Sequence, residues 1–345
     1  MKLDFGQRER QKYAVSHHGG AGFIGSHLAE RLVREQLGSV IVLDNLHRGN
    51  TENLSDCRDQ VSFVKGDIRN VVLLEAMTQG CTHVFHLASQ SNVMGAVQHP
   101  DYTLSSNITG THNVLQAARN ARVARVVFAS SREVYGESTV LPVLEDAPLL
   151  PKNLYGVSKL TGELFCRLFA QDGLETVVLR LANVYGTRDM GRVIPLFIEK
   201  ALDGQPLNLY GGRQTLDLIW IETVVDVLMR SALDQQFIDE PVNVGSGKGV
   251  AITELVQRIL GATQSKSPVE FLQARENEVV AFVADIQRAQ KYFNVVSPED
   301  PLAHLIEVVD WVRAAPNRRR TAAAEADPAA EADSHSDWGL FSRPD

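Results

Sequence analysis

The chain has 345 residues, 44% of them apolar and 22% charged, enough apolar material for a sizeable core. Its 34 lysines and arginines against 42 aspartates and glutamates leave a net charge of −8, which excludes the broad basic footprint of a general nucleic-acid binder but allows a local basic pocket. No apolar run approaches the ~20 residues of a membrane-crossing helix. Three scattered cysteines, Cys57, Cys81 and Cys166, offer neither a disulfide framework nor metal-ligand spacing. A reducing, cytoplasmic setting with no membrane and no nucleic-acid partner is therefore expected.

Residues 1–11 read as a polar leader without the apolar centre of a secretory signal. From there short apolar runs alternate with amphipathic stretches. The spacing predicts strands at 40–43, 82–87, 125–129 and 176–180, with helices such as 26–36 and 110–122 between them. Strands alternating with helices imply an α/β fold whose parallel sheet is covered on both faces. After 180 the rhythm loosens into a helix at 193–202, a short strand at 206–210 and a helix at 252–261, consistent with a smaller lobe. The segment 314–345 passes from an arginine run into a stretch rich in Ala, Glu and Asp, and reads as a disordered tail in which Trp338 and Phe341 are isolated aromatics.

Gly19-Gly20-Ala21-Gly22-Phe23-Ile24-Gly25 fits both G-x-x-G-x-x-G and G-x-G-x-x-G. Glycines at this spacing let the backbone turn sharply and approach a pyrophosphate, with the N-terminus of the next helix facing the phosphates. Asp44, at the end of an apolar strand, stands where an acid binds the adenosine ribose hydroxyls. Its charge would repel a 2′-phosphate, which favours NAD over NADP; Arg48 nearby softens that preference. Alone, such a loop is weak evidence, since a glycine-rich turn with an accidental acid looks the same. The residues just before it, Val15-Ser16-His17-His18, are unusual: either two residues are inserted or two histidines end the strand. A metal there would lack further ligands, so none is expected.

Tyr155 and Lys159 are four apart and share one face of a helix. A nearby ammonium stabilises a phenolate, so Tyr155 could accept a hydroxyl proton. An amphipathic helix with a solvated lysine gives the same pattern, but here Ser130-Ser131 precedes it at a strand end, where a serine can orient the reacting hydroxyl.

With these residues the chain resembles the extended short-chain dehydrogenase/reductase family, in particular its NAD-dependent nucleotide-sugar epimerases and dehydratases. The likeness spans about 12–311. It includes Asp44-Asn45-Leu46, Gly66-Asp67-Ile68-Arg69, His86-Leu87-Ala88 and Asn107-Ile108-Thr109-Gly110-Thr111. It continues through Ser130 to Gly136, Asn183-Val184-Tyr185-Gly186, Asn243-Val244-Gly245 and Arg275-x-x-Glu278. The resemblance implies a Rossmann-type doubly wound sheet over 12–180 that holds NAD, a mainly substrate-binding C-terminal lobe over 181–313 with segments returning to the first domain, and a homodimer. It implies that Gly19, Gly22, Phe23, Ile24, Gly25, Asp44, Asn45, Asp67, Ile68, Leu87, Ala88, Asn107 and Ser130 serve the cofactor together with Tyr155 and Lys159. Ser131, Tyr155 and Lys159 take the catalytic positions. Asn183, Arg192, Val193, Asn208, Tyr210 and Arg275 serve a nucleotide-diphosphate sugar, Arg275 clamping phosphate. The family's second phosphate arginine is replaced by Leu216, for which Arg192 or Arg213 could compensate.

Members of this family begin by oxidising the sugar at C4. An epimerase then returns hydride to the other face, whereas a 4,6-dehydratase or a decarboxylase of UDP-glucuronate proceeds to elimination or loss of carbon dioxide. Glu133 matches the glutamate common in dehydratases and decarboxylases and is a fourth catalytic candidate; a salt bridge to Arg132 is its structural alternative. The aspartate that precedes this glutamate in the dehydratases is here Arg132. The decarboxylases' late arginine is absent from Phe282-Val283-Ala284. The resulting expectation is a UDP-sugar 4-epimerase, with dehydration or decarboxylation second. Outside this class stand a non-catalytic NAD-sensing regulator on the same fold and a simple alcohol dehydrogenase, which would have no use for Arg275.

Overall fold

The structure, a computed structural model, describes residues 13–91, 93–234, 238–275 and 278–314. The expected leader, and the tail from 315 onward with Trp338 and Phe341, lie outside the described residues. Strand β1 (Tyr13–His18) is followed by helix α1 (Phe23–Arg34), strands β2 (Gly38–Asp44) and β3 (Val61–Lys65), helix α2 (Val71–Thr78) and strand β4 (His83–His86). Two short helices, α3 (Val93–Gln98) and α4 (Pro100–Thr103), lead through a π-helical turn (Leu104–Thr109) into α5 (Gly110–Asn120). Strand β5 (Arg125–Ser131), helix α6 (Leu154–Gln171) and strand β6 (Glu175–Leu181) complete this half.

All pairs in the large sheet are parallel, and such sheets are buried on both faces. That is why β4 and β5 are buried along their whole length, with apolar residues at their centres, Val84-Phe85 and Val126-Val127-Phe128-Ala129. His17 pairs with Val42 and Phe85, and His18 with Leu43 and His86, so the two histidines end the strand and no residues are inserted before Gly19. Helix α1 begins three residues before the expected 26, because Gly22 already takes the extended cap conformation within the glycine loop.

Beyond Leu181 the chain builds β7 (Asn183–Tyr185), α7 (Val193–Leu202), β8 (Leu207–Tyr210), β9 (Thr215–Trp220) and α8 (Ile221–Leu233). It then returns to the large sheet with β10 (Val242–Val244), which pairs with β6. The strand order becomes β10-β6-β5-β4-β1-β2-β3. Strand β11 (Gly249–Ala251) pairs antiparallel with β9, whose other neighbour is β7. Helix α9 (Ile252–Thr263) precedes β12 (Val269–Leu272), which pairs with β8. Helices α10 (Gln287–Phe293) and α11 (Leu305–Ala314) close the described chain. Helix α8 belongs with the first half: its Asp226 accepts from Arg31 of α1 at 2.6 Å. Ile194, Phe197, Leu209, Leu218, Leu255 and Val308 form part of a separate apolar core for the lobe.

No helix among the described residues is long and apolar enough to cross a membrane.

Candidate active site

In a doubly wound sheet, ligands bind beyond the carboxyl ends of the strands where the order reverses. Here that point lies between β1 and β4, and a cleft of about 1590 Å³ opens from it toward the lobe. Gly19 has φ +80° and packs so closely on the next segment that a Cβ would stand 2.7 Å from the Ala88 nitrogen. A Cβ on Gly25 would collide with the Gly19 carbonyl. The first turn of α1 carries no acid, so the positive end of the helix dipole favours an anion there. Gly22, Phe23, Ile24 and Gly25 all border the cleft, as do Leu87 and Ala88. The cradle fits a dinucleotide, and Gln90 leaves its buried Oε1 without a hydrogen-bond partner at the same wall.

Asp44 borders the cleft and ties the loop to β2: its carboxylate accepts from the Ala21 N–H at 2.9 Å and the Leu46 N–H at 2.8 Å. Burial raises its pKa. Asn45 and Ile68 also border the cleft. Asp67 and Asn107, expected to serve the cofactor, are not among the residues that border the cleft. The Asp67 carboxylate is held by Arg69 and Asn45, each at 2.9 Å. The Asn107 side chain accepts from the Gln90 N–H at 2.7 Å and donates to the Gln90 carbonyl and the Ser158 hydroxyl, so it braces the wall from behind. Ser130 reaches the border, but its hydroxyl donates to Glu163.

The end of the cleft that holds Ser131, Tyr155 and Lys159 is formed by β5 and α6. Asn153 caps α6 by accepting from the Gly156 N–H at 2.8 Å, which aims the first turns at the cleft. Tyr155 and Lys159 lie one turn apart, with the Lys159 nitrogen 5.8 Å from the centre of the Tyr155 ring. Lys159 is only 4% exposed and donates to the Ala129 carbonyl at 2.8 Å. Burial pushes its ammonium down to about 7. Burial also pushes the Tyr155 phenol up, while the Arg192 charge and a hydrogen bond with Ser131 pull it back. Ser131, at the end of β5, also accepts from the Glu133 N–H at 3.2 Å. Glu133 borders the cleft, yet both its oxygens are taken: Arg132 lies at 2.9 Å from one and Asn153 donates to the other at 2.8 Å.

The opposite wall comes from the lobe. Asn183 donates to the Asp217 carbonyl at 3.2 Å, and Val193, Asn208 and Tyr210 border the cleft beside it. The Arg275 guanidinium lies 3.6 Å over the centre of the Tyr210 ring and pairs with Glu278 at 3.0 Å. Leu216 forms an apolar part of the wall. Of the two arginines that could compensate for it, Arg192 borders the cleft, 5.8 Å from the Phe23 ring, whereas Arg213 is exposed and does not.

Sequence reasoning did not single out Asp189 or the bracing role of Arg48. Asp189 is 2% exposed, burial pushes its carboxyl up to about 6, and its nearest cation is Arg192 at 3.7 Å. Arg48 donates to the Met190 carbonyl at 3.2 Å. With Arg188 paired to Glu30 at 2.8 Å and Thr187 bonded to His27 at 3.2 Å, the stretch 187–192 is fastened across the cleft to the cofactor half. No local signal marks these contacts. Among the described residues no cluster of His, Cys, Asp and Glu could hold a metal ion.

Comparison with known proteins agrees with this geometry. Residues 18–245 match the model of the NAD dependent epimerase/dehydratase family. A Methanocaldococcus jannaschii protein with the provisional name UDP-glucose 4-epimerase is 36% identical over 312 residues, covering 88% of this chain and 98% of that protein. UDP-glucuronic acid decarboxylase 1 of Danio rerio is 31% identical over 294 residues, covering 82% of this chain and 68% of that protein. Among solved structures, dTDP-glucose 4,6-dehydratase of Streptomyces venezuelae with NAD bound superposes with a TM-score of 0.82 at 29% identity, covering 87% of this chain and 97% of that one. The chain belongs to the NAD-dependent epimerase/dehydratase family of extended short-chain dehydrogenases/reductases, and its cofactor is NAD.

Proposed function

We propose that the protein is a UDP-sugar 4-epimerase. The observation that carries this reading is the state of Glu133. A dehydratase or decarboxylase needs a further acid or base beside the oxidised sugar, and the one carboxylate of β5's end that could serve has both oxygens held, by Arg132 and Asn153. Epimerisation needs none.

In this reading Ser131 orients the C4 hydroxyl and Tyr155 takes its proton as C4 is oxidised. Lys159 lends its charge to the phenolate, and the proton returns from Tyr155 after the 4-keto sugar has turned. NAD, which the glycine loop and Asp44 would hold, would supply the hydride acceptor and donor. Asn183, Arg192 and Arg275 hold the diphosphate, with Arg192 compensating for Leu216, and Tyr210 lies by the base. Exposed apolar side chains on α6, Val157, Leu164 and Leu168, join Met94, Val97 and Leu104 on the preceding helical stretch as the face of a homodimer. The setting is the cytoplasm.

Elimination or decarboxylation is the second reading, favoured by the position of Glu133 at the cleft border, where its charge acts on the Tyr155 phenol. Incubating UDP-glucose, UDP-glucuronate and dTDP-glucose with the protein in heavy water and following the sugars by NMR separates the two. Inversion at C4 with no deuterium at C5 supports the epimerase. A 4-keto product carrying deuterium at C5, or one that has lost C6, replaces it with the second reading. No turnover of any of the three leaves a non-catalytic NAD-binding role.

A further inference from the structure

A buried polar network runs beneath Lys159, and the chemistry assigned to Tyr155, Lys159 and Ser131 does not use it. Glu163 stands one helical turn beyond Lys159 on α6 and is buried. One of its oxygens accepts from the Ser130 hydroxyl; Arg180 of β6 grips both, at 2.7 Å through Nη2 and at 3.0 and 3.2 Å through Nε. Arg180 also donates to the Tyr135 hydroxyl and the Glu145 carbonyl, each at 2.8 Å, and Tyr135 donates to Asn243 of β10 at 2.7 Å. Two successive residues of β5 are thus bonded to two successive turns of α6: the Ala129 carbonyl to Lys159, and Ser130 to Glu163.

We propose that Glu163 is a positioning residue for Lys159: it locks α6 to the end of β5, and its carboxylate is the counter-charge that keeps the lysine protonated during proton transfer. The groups around Lys159 support this. On α6 they are the Tyr155 ring, Glu163 and the neutral thiol of buried Cys166; on β5 they are the Phe128 ring, 5.1 Å away, and the Ala129 carbonyl. Asn107, in the π-helical turn packed against α6, bonds Ser158 and Gln90 and is uncharged. Arg180 lies behind Glu163 and adds a second positive charge. Burial carries Lys159 toward neutrality, and Cys166 and Glu163 act the other way; burial pushes the Cys166 thiol up and so keeps it neutral, which leaves Glu163 as the carboxylate acting on the lysine. A neutral Lys159 no longer stabilises the phenolate, so activity should fall as pH rises through the lysine's pKa, and removing Glu163 should lower that pKa.

The inference rests on the reading of Tyr155 and Lys159 as the proton-transfer pair. Its test is the pH profile of C4 oxidation, followed as reduction of bound NAD by a nucleotide sugar, for wild type, Glu163→Gln and Glu163→Asp. Glu163→Gln should equal wild type at low pH, where Lys159 is charged in both. It should fall behind as pH rises, with the alkaline limb displaced downward by about one unit, a tenfold deficit above the limb. Glu163→Asp keeps the charge and should restore the profile. A loss by the same factor at every pH, or an unchanged profile, overturns the proposal. If Glu163→Gln does not fold, Glu163→Gln with Arg180→Met avoids an unpaired buried charge. It should move the limb the same way by less, since losing the Arg180 charge acts in the opposite sense, and no movement overturns the proposal. A direct titration guards against confusing two failures: the Lys159 Cε resonance in lysine-labelled protein, assigned with Lys159→Met, should titrate at lower pH in Glu163→Gln. That result can be read even in a protein that oxidises no nucleotide sugar, which would refute the proposed function instead.

Discussion

The two ends of the cleft are made in different ways. At the dinucleotide end the contacts are backbone: a contiguous loop, Gly19 to Gly25, the start of α1, and a neighbouring segment so close that a methyl group will not fit. At the end toward the lobe the lining is side chains drawn from β5, α6, β7, β8 and the loops around Arg192 and Arg275, several of them steadied by a partner. A backbone cradle tolerates almost no change but is indifferent to the rest of the reaction. A side-chain wall can be altered one residue at a time. This accounts for relatives that share the family's cofactor and carry names as different as epimerase, decarboxylase and dehydratase.

The comparison can be pressed with four substitutions, in order of expected effect. Tyr155→Phe should lower the rate of C4 oxidation by about a thousandfold while NAD stays bound; reduction of bound NAD after mixing with substrate reads the first and cofactor content the second. A retained rate would take Tyr155 out of the mechanism. Arg180→Met leaves the Glu163 carboxylate buried without its cation and should cost about 3 kcal/mol or more of stability, measured by urea unfolding. A variant as stable as wild type would show that water or a rearranged partner replaces the guanidinium. Gly25→Ala should cost about 2 kcal/mol by overpacking and release the cofactor, because the added carbon meets the Gly19 carbonyl. Purification of this variant with its NAD still bound would contradict a cradle made of backbone. Arg275→Ala should weaken nucleotide-sugar binding about tenfold, roughly 1.4 kcal/mol, with NAD content and maximal rate unchanged. Titration with UDP tests it, and unaltered affinity would mean that Arg275 only covers the Tyr210 ring.

The cofactor half was largely legible before folding was considered. The strands expected at 40–43 and 125–129 lie within β2 and β5, and in the lobe the helix expected at 193–202 has the observed bounds. Period, glycine spacing and an acid at the end of a strand are local signals, and a parallel sheet buried on both faces writes its strands as apolar runs. The histidines before Gly19 were ambiguous because sequence cannot separate an insertion from a strand end; pairing with two neighbours decides it. Asp67 and Asn107 sit in motifs that border a dinucleotide in the resemblance, but where a side chain turns depends on its competitors, here Arg69 and Asn45 for one, Gln90 and Ser158 for the other.

By itself the sequence determined that this chain forms an α/β dinucleotide fold with a tyrosine and lysine on one helical face, because those properties depend on residues a few positions apart. Only the tertiary structure decided that Glu133 is held by Arg132 and Asn153, that Arg192 rather than Arg213 borders the cleft, that residues 187–192 are fastened to α1 and Arg48, and that Glu163 joins Ser130 to Arg180. These depend on pairings between distant segments, whose geometry exists only once the sheet is assembled and the lobe has closed its own core against it.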